Sequence, residues 1–372
     1  MKIRLVLLAG ARPNFMKVAP LMAALASDQR FESILVHTGQ HYDDSMSGTF
    51  FRELRMPSPH HHLQVGSGSH AQQTAEVMRR LEPVLVEEKP SGVLVVGDVN
   101  STLAGALVAA KLGIAVIHAE AGLRSFDRSM PEEINRVATD AVTDLFLVTE
   151  ESGRKNLIRE GHDPARIVVV GNLMVDSLRH NLSAALKSDI RERLDISDCP
   201  FGLVTLHRPA NVDNEVQLAE IVGALSVISE QVPLFWAVHP RTRERLEHAN
   251  VALGSKIHLL GPLGYLDFLH LQAKCAVILT DSGGIQEEST VLGVPCLTLR
   301  ENTERPISVE SGTNRLAGTR KESILEAWRE SRESPKQGII PPLWDGRAGE
   351  RCRQALVDFF SNRIPAEEFG TA

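Results

Sequence analysis

The sequence has 372 residues, of which 43% are hydrophobic and 23% are charged, and its formal net charge is −7. This length fits two domains rather than one, with a composition typical of soluble proteins. The negative charge balance argues against a nucleic-acid-binding protein, and no apolar run reaches the roughly 20 residues of a membrane span.

Strand and helix patterns alternate through the first part of the chain. Residues 3–9 form a continuous apolar run, as in a strand that is buried on both faces of a parallel sheet. Further strands are predicted at 33–38, 92–96, 114–118, 145–148 and 167–170, and helices at 14–26, 46–54, 71–88, 101–112 and 131–142. The alternation predicts an α/β domain with a mostly parallel sheet over residues 1–172.

The alternation restarts after a polar helical stretch at 174–194 and a linker. Strands are predicted at 203–206, 234–238, 257–260, 276–280 and 296–299, and helices at 215–230, 265–274 and 285–292. We predict a second Rossmann-like domain over residues 173–346. Residues 347–372 are predicted to carry an amphipathic helix that returns to the first domain.

The four cysteines are scattered along the chain and show neither metal-ligand spacing nor a disulfide framework. This indicates a reducing, cytoplasmic compartment. The apolar run after Met1 is followed by Gly-Ala-Arg-Pro rather than by a cleavage site, so it predicts a first strand and not a signal peptide.

Polar side chains follow the predicted strands of both halves. They are Arg12, Gln40, Asp98 and Glu120 in the first half, and His207, His239 and Ser282 in the second. In open α/β sheets, ligands bind at the carboxyl ends of the strands. We therefore expect these residues to line a cleft between two domains, which is a favoured place for a ligand site.

The turn at residues 281–284 is the strongest candidate for an anion site. Gly283 and Gly284 permit a sharp bend and a close approach of the ligand to the backbone. The free N–H groups of the helix start suit a phosphate. Arg12 and Lys17 are further candidate phosphate contacts, with a salt bridge for Arg12 and a solvated helix face for Lys17 as the alternatives.

Asp98, Glu120 and Glu132 form a set of candidate acid–base carboxylates. Several carboxylates in one partly dry site acquire different pKa values, so that one can serve as the acid and another as the base. In the alternative interpretations, Asp98 caps the helix that follows it, and Glu132 favours its helix dipole or pairs with Arg136.

Histidines and one aromatic residue allow two interpretations each. His207 and His239 are either phosphate contacts and proton donors or structural residues at strand ends. Phe268 either stacks on a base beside Leu263 or belongs to the core. The triplet at residues 60–62 resembles a metal site, but it lies in a loop bounded by proline, and we predict no metal.

Several motifs occur in one order along the chain. They are Gly10-Ala11-Arg12-Pro13, Thr38-Gly39-Gln40-His41, Gly97-Asp98, residues 118–125 (HAEAGLRS), residues 130–136 (MPEEINR), His207-Arg208, residues 281–288 (DSGGIQEE) and residues 303–306 (TERP). Over nearly its whole length, the chain resembles the non-hydrolysing UDP-N-acetylglucosamine 2-epimerases.

The resemblance implies two Rossmann-like domains with a cleft between them, as in GT-B glycosyltransferases, and UDP held mainly by the second. By position, Ser282, Gly283 and Gly284 would bind the diphosphate, Glu288 the ribose, and Leu263 and Phe268 the uracil. Arg12, Lys17, His207 and Arg305 would contact the nucleotide or its phosphates, and Gln40, His41, Arg136 and His239 complete the predicted substrate-binding set. Asp98, Glu120 and Glu132, together with His207, would be catalytic, with the acid and the base unassigned.

The implied reaction inverts C2 of UDP-N-acetylglucosamine by elimination and re-addition of UDP. It needs no redox cofactor and no metal, and the family is usually dimeric. Alternative functions are a 2-epimerase of UDP-2,3-diacetamido-2,3-dideoxy-glucuronate, a hydrolysing 2-epimerase, a glycosyltransferase of the same architecture and a non-enzymatic UDP-sugar sensor.

Three positions depart from the family pattern. Asn14 and Ala210 stand where acidic residues are common, and Ser69-His70 stands near an Arg-Gln pair that binds an activating substrate molecule in some bacterial members. The resemblance therefore does not imply that activating site here. Residues 40–54 and 100–107 also resemble the branch that acts on the diacetamido-glucuronate sugar.

Overall fold

The computed structural model describes residues 2–10, 12–39, 51–196, 199–249 and 251–363, except for the side chain of Arg12. The chain divides into two compact units. The first comprises Met1–Ser177 and Pro342–Ala372, and the second comprises Leu178–Pro341. Among the described residues, no helix is long and apolar enough to cross a membrane.

The described part of the first unit contains a seven-stranded sheet in the order β3-β2-β1-β4-β5-β6-β7, and every pairing is parallel. The strands are β1 (Ile3–Ala9), β2 (Phe31–His37), β3 (His61–His62), β4 (Gly92–Val96), β5 (Ala115–Ala119), β6 (Leu145–Val148) and β7 (Ile167–Val169). Strands β4 and β5 are buried at every position, because helices cover both faces of a parallel sheet.

Helices connect these strands, and those predicted at 14–26, 71–88, 101–112 and 131–142 are present. The helices are α1 (Arg12–Ala26), α2 (His70–Glu88), α3 (Asn100–Lys111), α4 (Pro131–Ala141), α5 (Glu151–Arg159) and α6 (Leu173–Ala185), which crosses the boundary between the units. The N-cap of α3 is Val99, without a side-chain hydrogen bond. The expectation that Asp98 caps this helix is therefore wrong.

The described part of the second unit contains a six-stranded parallel sheet in the order β10-β9-β8-β11-β12-β13. Its strands are β8 (Gly202–Thr205), β9 (Leu234–Ala237), β10 (Ile257–Leu260), β11 (Val277–Thr280), β12 (Cys296–Thr298) and β13 (Asn314–Leu316). Its helices are α7 (Ile190–Arg193), α8 (Pro209–Val212), α9 (Glu215–Ser229), α10 (Pro240–His248), α11 (Tyr265–Lys274), α12 (Gly283–Leu292), α13 (Pro306–Glu310) and α14 (Lys321–Glu333).

The last helix, α15 (Ala348–Ser361), packs on α1 in the first unit, as the sequence predicts. The backbone N–H groups of Ala348 and Gly349 donate to the two carboxylate oxygens of Asp176 at 3.0 and 2.7 Å. Arg353 donates to Asp28 at 2.7 Å. These bonds fix the start and the outer face of the returning helix.

The predicted single helix at 174–194 is two helices, α6 and α7. The chain turns at Ser188, whose hydroxyl donates to Asp267 and accepts from the N–H of Ile190. A serine that satisfies backbone and side-chain partners in this way favours a turn over a continuous helix. The sequence interpretation also did not identify α5, α10, α14 or β13.

Both sheets share one topology, in which the first strand of each unit lies beside the fourth. The strand order reverses between β1 and β4 in the first unit and between β8 and β11 in the second. Loops diverge at the carboxyl ends of such strands and leave a crevice that suits a ligand. The residues that follow these four strands are therefore the first to consider as a site.

Candidate active site

Lys17 and Glu120 form a buried ion pair at the carboxyl end of the first sheet. Lys17 lies in α1, and Glu120 directly follows β5 with a left-handed φ of 67°. The two residues are 7% and 3% exposed. Because each charge compensates the other where little water enters, both side chains are held in one position. The solvated-helix alternative for Lys17 is therefore wrong.

Asp98 follows β4 and pairs with Arg136 of α4. The Nη1 atom of Arg136 lies 2.5 Å from Oδ2 of Asp98, and Nη2 lies 2.6 Å from Glu133. Arg136 is 2% exposed, whereas the Asp98 side chain is 27% exposed. Asp98 is thus oriented from behind by a buried guanidinium and keeps part of its surface open.

Glu132 is the second residue of α4 and is partly exposed. It makes no side-chain hydrogen bond or ion pair with the residues that the structure describes. The expected alternative pairing with Arg136 is wrong, because Arg136 bonds to Asp98 and Glu133. Glu132 and Arg136, the residue that orients Asp98, lie on the same helix, α4.

The turn that carries Asp98 packs directly against the Lys17–Glu120 pair. Gly97 has a φ of +73°, and a Cβ atom built on it would lie 3.2 Å from both Glu120 Oε2 and Lys17 Nζ. The structure thus brings together three of the predicted residues, Lys17, Asp98 and Glu120. They surround the point where the strand order of the first sheet reverses.

Asp281 organises the corresponding position in the second unit. It is fully buried and accepts hydrogen bonds from the backbone N–H of His207 at 3.1 Å, that of Arg208 at 2.9 Å and the Asn211 amide at 3.1 Å. Burial acts to raise the pKa of Asp281, but His207 and these donors hold it below its ordinary value. Asp281 therefore joins the turn after β8 to the turn after β11.

His207 lies beside this carboxylate, with its Nδ1 atom 3.1 Å from Oδ1 of Asp281. The His207 side chain is 54% exposed. It is therefore oriented by a buried partner while much of the ring faces outwards. This arrangement suits a ligand contact better than a purely structural role.

The predicted anion turn lies at the start of α12. Ser282 is the N-cap residue and makes no side-chain capping bond, and Gly283 and Gly284 are partly exposed. A Cβ atom on Gly283 would lie 2.5 Å from Oε1 of Glu304, so any larger residue there would displace this carboxylate. The first N–H groups of a helix lack helical acceptors and suit a phosphate.

Arg305 lies behind this turn, is 5% exposed and pairs with the buried Glu287 at 3.1 Å. The neighbouring Glu304 pairs with Arg300 at 2.8 Å and approaches Arg208 to 3.4 Å. Burial acts to raise the pKa of Glu304, yet the surrounding arginines hold it well below its usual range. A dense network of charges thus supports the backbone of the glycine turn.

Glu288 lies in the second turn of α12 and is 3% exposed. Its Oε2 atom accepts from the Gln272 amide at 2.9 Å, and its Oε1 atom has no hydrogen-bond partner among the described residues. Burial raises the pKa of Glu288 to about 7, against the lowering effect of the Gln272 bond. A buried acceptor of this kind suits a hydroxyl group of a ligand.

The other predicted residues are placed as follows. Leu263 and Phe268 are both partly buried and pack against one apolar cluster that includes Ile285 of α12. His239 is exposed and is the N-cap of α10, where its Nδ1 atom accepts from the N–H of Arg241 at 3.3 Å. Gln40, His41 and the side chain of Arg12 lie outside the described residues.

The described residues contain no group of three or more side chains arranged to hold a metal ion. In the histidine triplet, Nδ1 of His60 accepts from the N–H of Leu35, and His61 lies 2.7 Å from Glu88. His62 packs its ring edge-on against His37. The three rings thus have separate structural partners.

The family model described as UDP-N-acetylglucosamine 2-epimerase matches residues 23–357 of the chain. The chain belongs to this family. It is 44% identical to the UDP-N-acetylglucosamine 2-epimerase of Methanocaldococcus jannaschii over 95% of this chain and 99% of the relative. It is 41% identical to the UDP-2,3-diacetamido-2,3-dideoxy-D-glucuronate 2-epimerase of Pseudomonas aeruginosa, again over 95% of this chain and 99% of the relative.

A solved structure of an enzyme of this epimerase family is similar throughout. The crystal structure of the M. jannaschii UDP-GlcNAc 2-epimerase in complex with UDP-GlcNAc and UDP superposes with a TM-score of 0.90 at 43% identity. It covers 95% of this chain and 99% of that one. The two Rossmann-like domains of the sequence prediction are thus confirmed.

The sequence analysis did not identify several buried residues that hold the candidate site residues in place. Asp281 was part of a quoted motif but was given no role, and Glu133 was passed over beside Glu132. His118 and Asp140 were not considered as site residues, although they are fully buried and lie 2.7 Å apart. A charged residue in an apolar strand or on the inner face of a helix was the only available signal.

Proposed function

We propose that this protein is a non-hydrolysing epimerase that converts UDP-N-acetylglucosamine to UDP-N-acetylmannosamine through a glycal intermediate. The observation that carries this proposal is the group formed by Asp98, Glu120 and Lys17 where the strand order of the first sheet reverses. It supplies carboxylates oriented by cations in a chain that belongs to the epimerase family.

The chemistry of C2 epimerisation explains why these side chains suit the reaction. The proton on C2 of an N-acetylhexosamine is not adjacent to a carbonyl group, so its simple removal would leave an unstabilised carbanion. Loss of UDP from C1 while C2 loses its proton leaves a neutral glycal. Re-addition of UDP with a proton on the opposite face then inverts C2. The pathway needs an acid, a base, a grip on the leaving diphosphate and exclusion of water.

Asp98, Glu120 and Glu132 are the proposed proton-transfer groups. Asp98 is partly open and Glu132 has no partner among the described residues, which leaves both able to meet a ligand. Glu120 is buried against Lys17. The proposal leaves open which carboxylate is the base and which is the acid.

The second unit is proposed to hold UDP. The exposed helix start at Ser282, Gly283 and Gly284 would bind the diphosphate, with His207 as a further contact. The unsatisfied oxygen of Glu288 would accept from the ribose. Leu263 and Phe268 would contact uracil through their partly exposed surfaces. Arg12, Lys17, Arg305, Gln40, His41, Arg136 and His239 stay in the proposed substrate-binding set.

A second candidate is the C2 epimerisation of UDP-2,3-diacetamido-2,3-dideoxy-glucuronate. It is supported by the 41% identity to the P. aeruginosa enzyme named for that sugar, close to the 44% of the M. jannaschii relative. The reaction at C2 is the same, so the residues of the proton transfer do not discriminate between the two substrates.

One NMR experiment tests both candidates. The enzyme is incubated in D₂O with each UDP-sugar in turn, and the products are followed by proton NMR. We expect UDP-N-acetylmannosamine that carries deuterium at C2, with a higher kcat/KM for UDP-N-acetylglucosamine. Product without deuterium would contradict elimination and re-addition, and free reducing sugar as the main product would indicate the hydrolysing reaction. No turnover without a sugar acceptor would favour a glycosyltransferase or a sensor.

We also propose a homodimer that acts in the cytoplasm. Ile134 and Val137 on α4 are 48% and 40% exposed, and Ile134 borders a cavity of about 360 Å³ that Ala71, Ala75 and Met78 of α2 also line. Such an apolar face suits an isologous contact with a second copy. Light scattering of the wild type and of I134D tests this, with a loss of dimer expected for the variant.

The four free thiols are consistent with a reducing compartment, which cell fractionation would test.

A further inference from the structure

His118 is a fully buried histidine in β5, two residues before Glu120. Its Nδ1 atom lies 2.7 Å from Oδ1 of Asp140, and its Nε2 atom lies 2.8 Å from the carbonyl oxygen of Gly97. The ring therefore connects three elements: β5, the turn after β4 and helix α4. The sequence motifs assign no role to His118.

The partners of His118 fix the orientation of its ring. The carbonyl of Gly97 can only accept, so Nε2 carries a hydrogen. Nδ1 faces Oδ1 of Asp140. The second oxygen of Asp140 accepts from the N–H of Gly122 at 3.1 Å and from Arg124 at 2.7 Å. Both ring nitrogens of His118 are therefore held by buried partners.

The charged groups around His118 are compensated inside the first unit. Arg124 pairs with both Asp140 and Glu160, at 2.7 and 2.6 Å. The carboxylate that holds His118 is thus itself held by a buried guanidinium. Since breaking such a buried network is costly, its members hold fixed positions.

The turn that carries Asp98 has all three of its successive carbonyl groups bound by side chains. The Val96 carbonyl accepts from Asn14 and from Thr102, both at 2.9 Å. The Gly97 carbonyl accepts from His118, and the Asp98 carbonyl accepts from Asn135 at 2.9 Å. Among these donors His118 is the one whose second ring nitrogen is held by the buried carboxylate of Asp140.

The same histidine also reaches the turn that carries Glu120. Through Asp140 it is bound to the N–H of Gly122, two residues after Glu120. Gly122 has a φ of +77°, and a Cβ atom there would lie 2.3 Å from the carbonyl oxygen of Gly153, so this turn too has one tightly fixed conformation. The buried pair of His118 and Asp140 thus binds both turns that present the candidate carboxylates.

We propose that His118 is a positioning residue for the proton transfer at C2, acting through the Gly97 carbonyl and, via Asp140, the Gly122 amide. It fixes Asp98 relative to Glu120. This inference rests on the proposed epimerase function. In an elimination followed by re-addition, the protonating group must stay in place while glycal and UDP are both bound, and an error of about 1 Å can cost about 100-fold in rate.

Two variants separate the bonds of the ring. His118→Gln places an amide N–H where Nε2 stands, so it can still donate to Gly97, whereas His118→Asn places one where Nδ1 stands and loses the Gly97 bond. We expect kcat to fall by less than about 10-fold in H118Q and by about 100-fold in H118N. KM and the affinity for UDP should change by less than about 2-fold in both, since the second unit is proposed to hold the nucleotide.

The decisive readout is the share of turnovers that release free glycal and UDP instead of epimer, measured by NMR. This share is a ratio, so it does not depend on how much of a variant is folded. We expect it to rise in H118N, because protonation slows while escape of the intermediate does not, and to stay near the wild-type share in H118Q. His162→Asn is the matched control, because His162 packs its ring on Phe146, outside the candidate site, and we expect no change.

The possible failures are distinguishable. Wild-type product without deuterium at C2 would refute the proposed function itself. Wild-type product with deuterium, combined with equal kcat values and equal released shares in H118Q and H118N, would refute the positioning role of His118. A rise in KM with unchanged kcat would also refute it, because that result would indicate a role in substrate binding.

Discussion

Lys17 and Glu120 approach each other from α1 and from the end of β5, and each is almost completely removed from solvent. A buried pair of this kind contributes little net stability, because desolvation of both charges offsets their attraction. Removal of one partner alone is costly, since it leaves an isolated charge in a dry site.

Lys17→Met is therefore expected to lower the free energy of unfolding by about 3–5 kcal/mol. The double variant K17M/E120M should regain most of this loss, because neither charge is left unpaired. Urea titrations of the wild type, the single variant and the double variant measure both effects. Activity should be lost in both variants, because K17M removes the cation that orients Glu120, and the double variant also removes Glu120, a proposed proton-transfer group. A double variant no more stable than K17M would contradict the argument.

Glu288 should make stability depend on pH. Its pKa in the folded protein is about 7, above the 4.5 of an unperturbed glutamate, because the carboxyl group is buried. A raised pKa means that its favourable contribution is complete below pH 4.5 and is lost as the pH rises through 7. Relative to E288Q, the wild type should therefore lose on the order of 3 kcal/mol between pH 4.5 and pH 8.

Binding of UDP should report on the same carboxyl group. If a ribose hydroxyl donates to Glu288, the ligand favours the ionised form, and the complex releases a proton when it forms near pH 6.5. Calorimetry in two buffers of different ionisation enthalpy measures this proton. The wild type should release it and E288Q should not. Equal proton release by both proteins would exclude Glu288 as the source.

Gly283→Ala should weaken UDP binding at least about 10-fold, because its Cβ atom would lie 2.5 Å from Glu304 and would displace a member of the arginine network. Gly223→Ala is the matched control. Its Cβ atom would meet only the side chain of Lys321, at 3.4 Å, and alanine favours the interior of α9. Calorimetric titration with UDP compares the two variants, and equal affinities would contradict the predicted role of the turn.

The sequence was sufficient for those parts of the fold that depend on local pattern. Mainly apolar runs predicted β1, β4, β6 and β10 with their observed bounds, because strands covered on both faces have few polar positions. The polar residues within these runs, Arg4 in β1 and His258 in β10, are not buried. Strand ends then located Asp98, Glu120, His207 and Ser282. Helices α5, α10 and α14 were not identified, and their exposed faces are rich in charged residues, which weakens the apolar period.

The pairing of side chains could not be predicted, because it depends on distances between segments far apart in the sequence. Arg136 was assigned to the substrate, and a pairing with Glu132 was the alternative. In the structure, the rotation of α4 directs Glu133 and Arg136 inwards and leaves Glu132 partly exposed. The spacing of three residues between Glu133 and Arg136 was present in the sequence, but it could not show which face of the helix was buried.

Arg136→Lys distinguishes these two roles of Arg136. Lysine keeps the positive charge but loses the planar fork, which here contacts Asp98 through Nη1 and Glu133 through Nη2 and Nε. If Arg136 orients Asp98, kcat should fall about 100-fold while KM for the UDP-sugar changes by less than about 2-fold. If it binds the substrate instead, KM should rise and kcat should change little. Arg166→Lys is the control, because Arg166 donates to the backbone carbonyl groups of Thr143 and Asp144, outside the candidate site. Steady-state kinetics of the wild type, R136K and R166K measure this difference. We expect the fall in kcat, because Arg136 is 2% exposed and leaves little surface for a ligand.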